Sequence, residues 1–125
     1  MSDTPTIAIV DDDEAVRLAT ASFVRSLGYE ARTYASAQDF LRDEPGVPPD
    51  CLITDVQMPG MSGVELQEHL RAEGRTLPVI VVTAFPNEAL RRRVFAAGAA
   101  AFLEKPCAGD AMMVSLEQAL EGRAA

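Results

Sequence analysis

The sequence predicts an α/β domain with a five-stranded parallel sheet and five helices on both faces. Three observations predict it. Five short apolar runs alternate strictly with five stretches of helical character. Most of the runs are unbroken rather than alternating, as expected of strands covered on both faces. The charged residues Asp11, Asp12, Asp55 and Lys105 follow apolar runs, at the strand C-terminal ends where open α/β sheets bind ligands.

Taken in order, strand β1 is Ile7–Val10, wholly apolar. Helix α1 runs from about Glu14 to Leu27, with Ala15, Ala19, Phe23 and Leu27 as its inner stripe and Val16 widening it. Asp13 is an acidic N-cap, and Gly28 suits the left-handed C′ position. Strand β2, Glu30–Tyr34, alternates polar and apolar residues and so suits a sheet edge. Helix α2 starts near Ser36, with Asp39 three residues on in a capping-box-like pattern. Gly46-Val47-Pro48-Pro49 is a loop, too short for an interdomain linker.

Strand β3 is Cys51–Thr54. Helix α3 opens on a Ser62-x-x-Glu65 capping box, buries Val64, Leu66 and Leu70, and ends near Gly74. Strand β4 is Val79–Val82, four β-branched residues in a row. Helix α4 begins near Asn87 and ends at Gly98. Strand β5 is Ala101–Leu103. Helix α5 runs from about Ala108 to Glu121, with Met113, Leu116 and Leu120 facing inward.

The chain of 125 residues fits one domain and is long enough to bury a core without disulfides or structural metal. Its net charge is −8, from 11 basic and 19 acidic residues, which disfavours nucleic acid and anionic membrane surfaces as partners. It has neither an apolar run of membrane-spanning length nor a signal-peptide pattern in Met1–Thr6, so a cytoplasmic location is expected. Cys51 and Cys107 fall at opposite ends of the sheet and are expected as thiols. His69 reads as a plain helix residue. Arg91-Arg92-Arg93 is either a solvated face or a partner surface.

The chemistry lies at the strand ends. Three like charges at close range do not all stay ionised unless a cation joins them, and an all-oxygen set suits Mg²⁺. The residues therefore point to a Mg²⁺ site with an aspartate able to accept a phosphoryl group. Taken singly, each residue has a plainer reading. Asp55 could cap a turn, Asp11 and Asp12 could serve the α1 dipole, Lys105 could be a solvated strand end, Thr83 could merely suit a strand, and Phe102 could be core.

Together, Ile7-Ala8-Ile9-Val10-Asp11-Asp12-Asp13-Glu14, Thr54-Asp55-Val56-Gln57-Met58-Pro59-Gly60, Val82-Thr83-Ala84 and Glu104-Lys105-Pro106 resemble the receiver domain of two-component response regulators. Met58–Leu66 is most similar to the FixJ-type branch. The resemblance covers about Thr6 to Leu120 and implies a flavodoxin-like receiver fold with sheet order 2-1-3-4-5. It implies Asp55 as phosphoacceptor and Mg²⁺ (or Mn²⁺) on Asp12 directly, Asp11 often through water, Asp55, and the backbone carbonyl of Gln57. It further implies Lys105 as phosphate-binding cation with a cis peptide to Pro106, and Thr83 and Phe102 as the switch pair.

A sensor histidine kinase or phosphotransfer protein would supply the phosphoryl group, and a downstream protein would read the α4–β5–α5 face. A phosphorylation-dependent homodimer would also fit. Such a domain is a switch rather than an enzyme, catalysing only its own phosphorylation and dephosphorylation. Phe85 and Gln57 occupy the positions that tune hydrolysis, and apolar Phe85 implies a moderately long-lived phosphoryl state. Cys107 departs from the Phe usual after Lys-Pro in FixJ-type chains and would loosen packing at the base of α5.

The main rival keeps the fold and drops the chemistry, as a phosphorylation-independent pseudo-receiver or scaffold. A haloacid-dehalogenase-type phosphatase would need Asp where Gln57 stands, and an FMN binder would need a Ser/Thr/Gly-rich loop where Asp11-Asp12-Asp13-Glu14 stands. With no output domain recognisable in the sequence, a stand-alone receiver is expected.

Overall fold

The strands β1 (Thr6–Val10), β2 (Glu30–Tyr34), β3 (Cys51–Asp55), β4 (Val79–Thr83) and β5 (Ala101–Glu104) form one parallel sheet in the order β2-β1-β3-β4-β5. This is a computed structural model, and it describes residues 4–43, 48–106 and 109–124, with side chains to 121. The helices are α1 (Glu14–Ser26), α2 (Ala37–Arg42), α3 (Gly63–Ala72), α4 (Glu88–Ala96) and α5 (Asp110–Ala124). The expectations on Gly46, Val47, Cys107 and Ala108, on Met1–Asp3 and on the Gly122–Ala125 side chains lie outside the described residues. Among the described residues no helix is long and apolar enough to cross a membrane.

The period of two along each strand sorts the core into two layers. Ile7, Ile9, Cys51, Ile53, Ile80 and Val82 pack under α1 and α5, where they meet Ala21, Val24, Met112 and Leu116. Ala8, Val10, Leu52, Val79 and Val81 pack under α2, α3 and α4, where they meet Phe40, Val64, Leu66 and Val94. Both sides of the inner strands are thus filled, which is why they read as unbroken apolar runs. Strand β2 takes the edge, as its alternation predicts. Cys51 is a buried thiol at the start of β3.

Two helix faces differ from expectation. On α1, Ala15 and Ala19 are exposed while Ala21 and Val24 are buried. A stripe drawn every four residues drifts across a helix that turns every 3.6, and the i, i+3 steps reach the sheet instead. On α5 the buried methionine is Met112, with Leu116 and Ala119, whereas Met113 is only half-buried. Leu116 is buried and Leu120 packs against the same cluster as expected, so the difference is the methionine alone, by one residue between chemically identical neighbours.

The caps follow the sequence. Asp13 accepts from the Val16 N–H and Ser36 from the Asp39 N–H, while Ser62 and Glu65 close a reciprocal capping box. Gly28, at φ +97°, ends α1 in the left-handed region as expected.

Candidate functional site

Strand parity sets which way each site residue faces. Asp11 and Asp55 continue the series Ile7–Ile9 and Cys51–Ile53 on the α1–α5 side, and Lys105 continues Ala101–Leu103 on that side. Thr83 continues Val79–Val81 on the α3–α4 side, where Phe102 also packs. The carboxylates and lysine therefore meet on one face of the sheet's C-terminal edge, and the two switch candidates lie on the other. Asp55 and Thr83 are themselves the last residues of β3 and β4, one step further than the apolar runs reach. The ladder continues through them, with the Val56 N–H donating to the Val82 carbonyl at 3.1 Å and the Lys105 N–H to the Thr83 carbonyl at 2.9 Å.

The charged cluster is tight. Lys105 Nζ donates to Asp11 Oδ2 at 2.9 Å and lies 3.2 Å from Asp55 Oδ1. Asp11 and Asp55 are only 3% and 5% exposed, while Asp12 is open to solvent. Asp55 Oδ1 also accepts from the Val56 N–H at 2.9 Å, and Asp11 Oδ1 from the Asp13 N–H at 2.9 Å. Burial pushes the Asp55 carboxyl up; Lys105 pulls it back, Asp11 pushes it up again, and the net direction is upward. Burial works against the Lys105 ammonium, but its bond and attraction to Asp11, then to Asp55, outweigh this and hold its pKa above the ordinary value.

Three carboxylates thus face one ammonium. One oxygen from each of Asp11, Asp12 and Asp55 lies within 4.8 Å of the others, so the set can close on a single ion. All the donors are hard oxygens, and the charge they carry exceeds what Lys105 offsets, so the residues fit a divalent cation such as Mg²⁺.

The peptide between Lys105 and Pro106 is cis, as the resemblance implied. Thr83 is fully buried, and its hydroxyl donates to Gln57 Oε1 at 2.9 Å while accepting from the Phe85 N–H at 3.0 Å. Phe102 is half-buried and lines a hollow with Pro86, Asn87 and Arg91. Phe85 is 72% exposed and tied to the site by its backbone. His69 lies 3.3 Å from Glu73 on the surface of α3. The arginine run of α4 is largely engaged within the chain: Arg93 pairs with Glu68, Arg92 lies near Glu88, and Arg91 stacks over Phe95.

Three contributors escape the sequence reading. Arg17 Nη1 donates to the Asp11 carbonyl at 2.8 Å and fixes the turn that carries Asp11 and Asp12. A cation in the first turns of a helix runs against the dipole, and that was its signal. Thr54 donates to the Asp55 carbonyl at 3.0 Å. Gly63 has no side chain because a Cβ there would stand 1.9 Å from the Asp55 carbonyl oxygen. The tight approach brings α3 against the end of β3 and has no signal beyond the glycine itself.

The comparisons agree with this geometry. The family described as "Response regulator receiver domain" matches residues 7–117. The transcriptional regulatory protein FixJ of Azorhizobium caulinodans is 41% identical over 121 residues, covering 95% of this chain and 56% of FixJ. The crystal structure of FixJ-N superposes with a TM-score of 0.86 at 36% identity, covering 97% of this chain and 96% of that one. A BeF3-activated DrrB receiver domain superposes with a TM-score of 0.84 at 25% identity, covering 94% and 98%. The chain spans about half the length of the curated relatives it matches. With its sheet order, its strand-end residues and this match over most of its length, the chain belongs to the response regulator receiver domain family of two-component signalling.

Proposed function

We propose that this domain is a phospho-switch that accepts a phosphoryl group on Asp55 from a histidine kinase or phosphotransfer protein. The observation that carries it is Lys105 Nζ bridging two buried carboxylates, Asp11 and Asp55, with Asp12 beside them. Asp55 Oδ1 takes both the Val56 N–H and the ammonium, which leaves Oδ2 to attack phosphorus. The new bond is Asp55 Oδ2–P. The bond that breaks joins phosphorus to the donor's imidazole nitrogen, which keeps the electron pair and takes up a proton.

Asp11, Asp12, Asp55 and the Gln57 carbonyl would hold the Mg²⁺, whose contribution when bound is to spread the charge of the transferring group. Lys105 supplies the fixed positive charge on the other side and holds Asp55 in place beforehand. The phosphoryl group adds about −1.5 to −2 charge and three acceptor oxygens. Thr83 then turns to those oxygens, Phe102 repacks, and the α4–β5–α5 face changes for a downstream protein.

Intact mass after incubation with a small-molecule phosphodonor tests this. A gain of one phosphoryl group that needs Mg²⁺ and is lost in Asp55→Asn is expected. No gain under any condition would leave a phosphorylation-independent scaffold as the better account.

A further inference from the structure

We propose that the Gln57 side chain is a latch on Thr83: it holds the only proton of the Thr83 hydroxyl, and must release it before Thr83 can serve a phosphoryl group on Asp55. This rests on Asp55 being the phosphoacceptor, and adds how the resting state is held.

A hydroxyl has one proton to donate and two lone pairs to accept with. Thr83 Oγ1 spends its proton on Gln57 Oε1 at 2.9 Å, and one lone pair receives the Phe85 N–H at 3.0 Å. Phosphoryl oxygens of an acyl phosphate are acceptors, so a bond from Thr83 to them needs that same proton. The bond from Phe85 uses a lone pair and survives the change. The bond to Gln57 does not, so the latched and phosphate-bound arrangements of Thr83 exclude each other.

The partners are unequal in a useful way. Thr83 is fully buried and donates to Gln57, whereas Gln57 is exposed and its amide finds water once released. Breaking the latch therefore costs one neutral hydrogen bond rather than a stranded polar group. A bond of that size biases the equilibrium without locking it. The backbone carbonyl of the same residue is the proposed ion ligand, so a side-chain substitution can remove the latch and leave the ligand in place.

The test is a double-mutant cycle on the full chain. Calorimetry would measure beryllofluoride affinity at saturating Mg²⁺, and separately Mg²⁺ affinity, for the wild type, Gln57→Met, Thr83→Val and the double variant. Methionine keeps the volume and removes the amide acceptor; valine keeps the shape and removes the hydroxyl, and Thr83→Ala repeats the cycle should valine crowd the cleft.

We expect Gln57→Met to tighten beryllofluoride binding about two- to tenfold when Thr83 is present, the range of one neutral hydrogen bond. In the Thr83→Val background it should do nothing, and a Mg²⁺ affinity that moves with Gln57→Met as much as beryllofluoride affinity does overturns the latch. An equal effect in both backgrounds, or none with Thr83 present, overturns the latch while leaving the phospho-switch standing. Failure of the wild type to bind beryllofluoride with Mg²⁺, or equal binding by Asp55→Asn, overturns the phospho-switch and the latch with it.

Discussion

Helices α3 and α4 pack on the same face of the sheet, against the same apolar cluster, yet they are held very differently. Helix α3 buries Gly63, Val64, Leu66, Gln67 and Leu70, and its N-terminus is closed by both bonds of a capping box. Helix α4 buries Val94 alone. The cause is in the sequences: Val-Glu-Leu-Gln-Glu-His-Leu places apolar groups at helical spacing, whereas Arg91-Arg92-Arg93 fills the middle of α4 with charge. Their positions matter as well. Helix α3 follows Asp55 and comes against its backbone at Gly63, so it fixes the proposed phosphoacceptor. Helix α4 follows Thr83, whose hydroxyl is the group expected to move. A segment with few buried contacts opens at low cost, and conformational responses are drawn from such segments. The fold therefore places a rigid helix behind the proposed phosphoacceptor and a loosely held one behind the proposed switch.

The widest gap should come from the anchors. Leu66→Ala, deep under α3, should cost about 2–5 kcal/mol in urea unfolding, the usual range for a buried leucine. Val94→Ala removes less and leaves a smaller cavity, so about 2 kcal/mol is expected. Amide exchange should separate them further, with Leu66→Ala lowering protection across the sheet and Val94→Ala mainly in α4. Equal losses, with α3 and α4 loosening together, would break the contrast.

A middle-sized effect should appear at the caps. Ser62→Ala removes one half of a reciprocal box at a well-packed end and should lower global stability by about 1 kcal/mol. The Asn87 side chain accepts from the Leu90 N–H without a reciprocal bond like that of Glu65 among the described residues, at the start of a helix that opens readily. Asn87→Ala should therefore show as faster exchange at Leu90 and Arg91, with a smaller shift of the urea midpoint. A midpoint shift larger for Asn87→Ala than for Ser62→Ala would mean that α4 is as integral to the fold as α3.

What the sequence reveals follows the same division. Wherever burial is continuous, the elements are legible: the apolar runs mark β1, β3 and β4, and Ser62-x-x-Glu65 marks the start of α3. The runs stop one residue short at the ends of β3 and β4 because Asp55 and Thr83 look like loop residues while still belonging to the ladder. Where apolar groups sit on adjacent positions, as Met112 and Met113 do, side-chain type does not choose the inner face; packing against the sheet does, and Met112 joins the cluster of Ile53, Ile80 and Leu116. The candidate site is legible as a set of charges because strand ends collect them. The direction each residue faces follows from parity once the strands are known, which is how Thr83 and Phe102 separate from Asp11, Asp55 and Lys105. The Gln57–Thr83 bond is not legible, since it joins two side chains across a loop path that no periodicity encodes, and Arg17 announces itself only as a cation placed against the α1 dipole, without naming the Asp11 carbonyl as its partner.

The smallest effect should come from the exposed ion pair that joins the two helices beside the bonds from Gln67 to the Val94 carbonyl and from Arg71 to the Ala96 carbonyl. Arg93 of α4 reaches Glu68 of α3 with two bonds, Nε to Oε2 at 3.0 Å and Nη2 to Oε1 at 2.9 Å. The bond to Arg93, slightly opposed by burial and aided by its charge, holds the Glu68 carboxyl below its usual range. A carboxyl lowered in the folded state adds stability that is complete above its unfolded pKa of 4.5 and is lost as pH falls through the lower folded value. Both side chains are about half exposed, so water and salt screen the pair and global stability should barely register its loss. Exchange in α4 should register it. Between pH 5 and about pH 3, below the carboxyl range, α4 amides should lose protection faster than α3 amides relative to the intrinsic rate. Glu68→Gln should remove that difference at every pH, and high salt should mimic the variant. If α4 protection in Glu68→Gln still falls with pH as in the wild type, the ion pair is not what couples the loose helix to the rigid one, and α4 is held by Val94 and by the bonds from Gln67 Nε2 to the Val94 carbonyl and from Arg71 Nη1 to the Ala96 carbonyl.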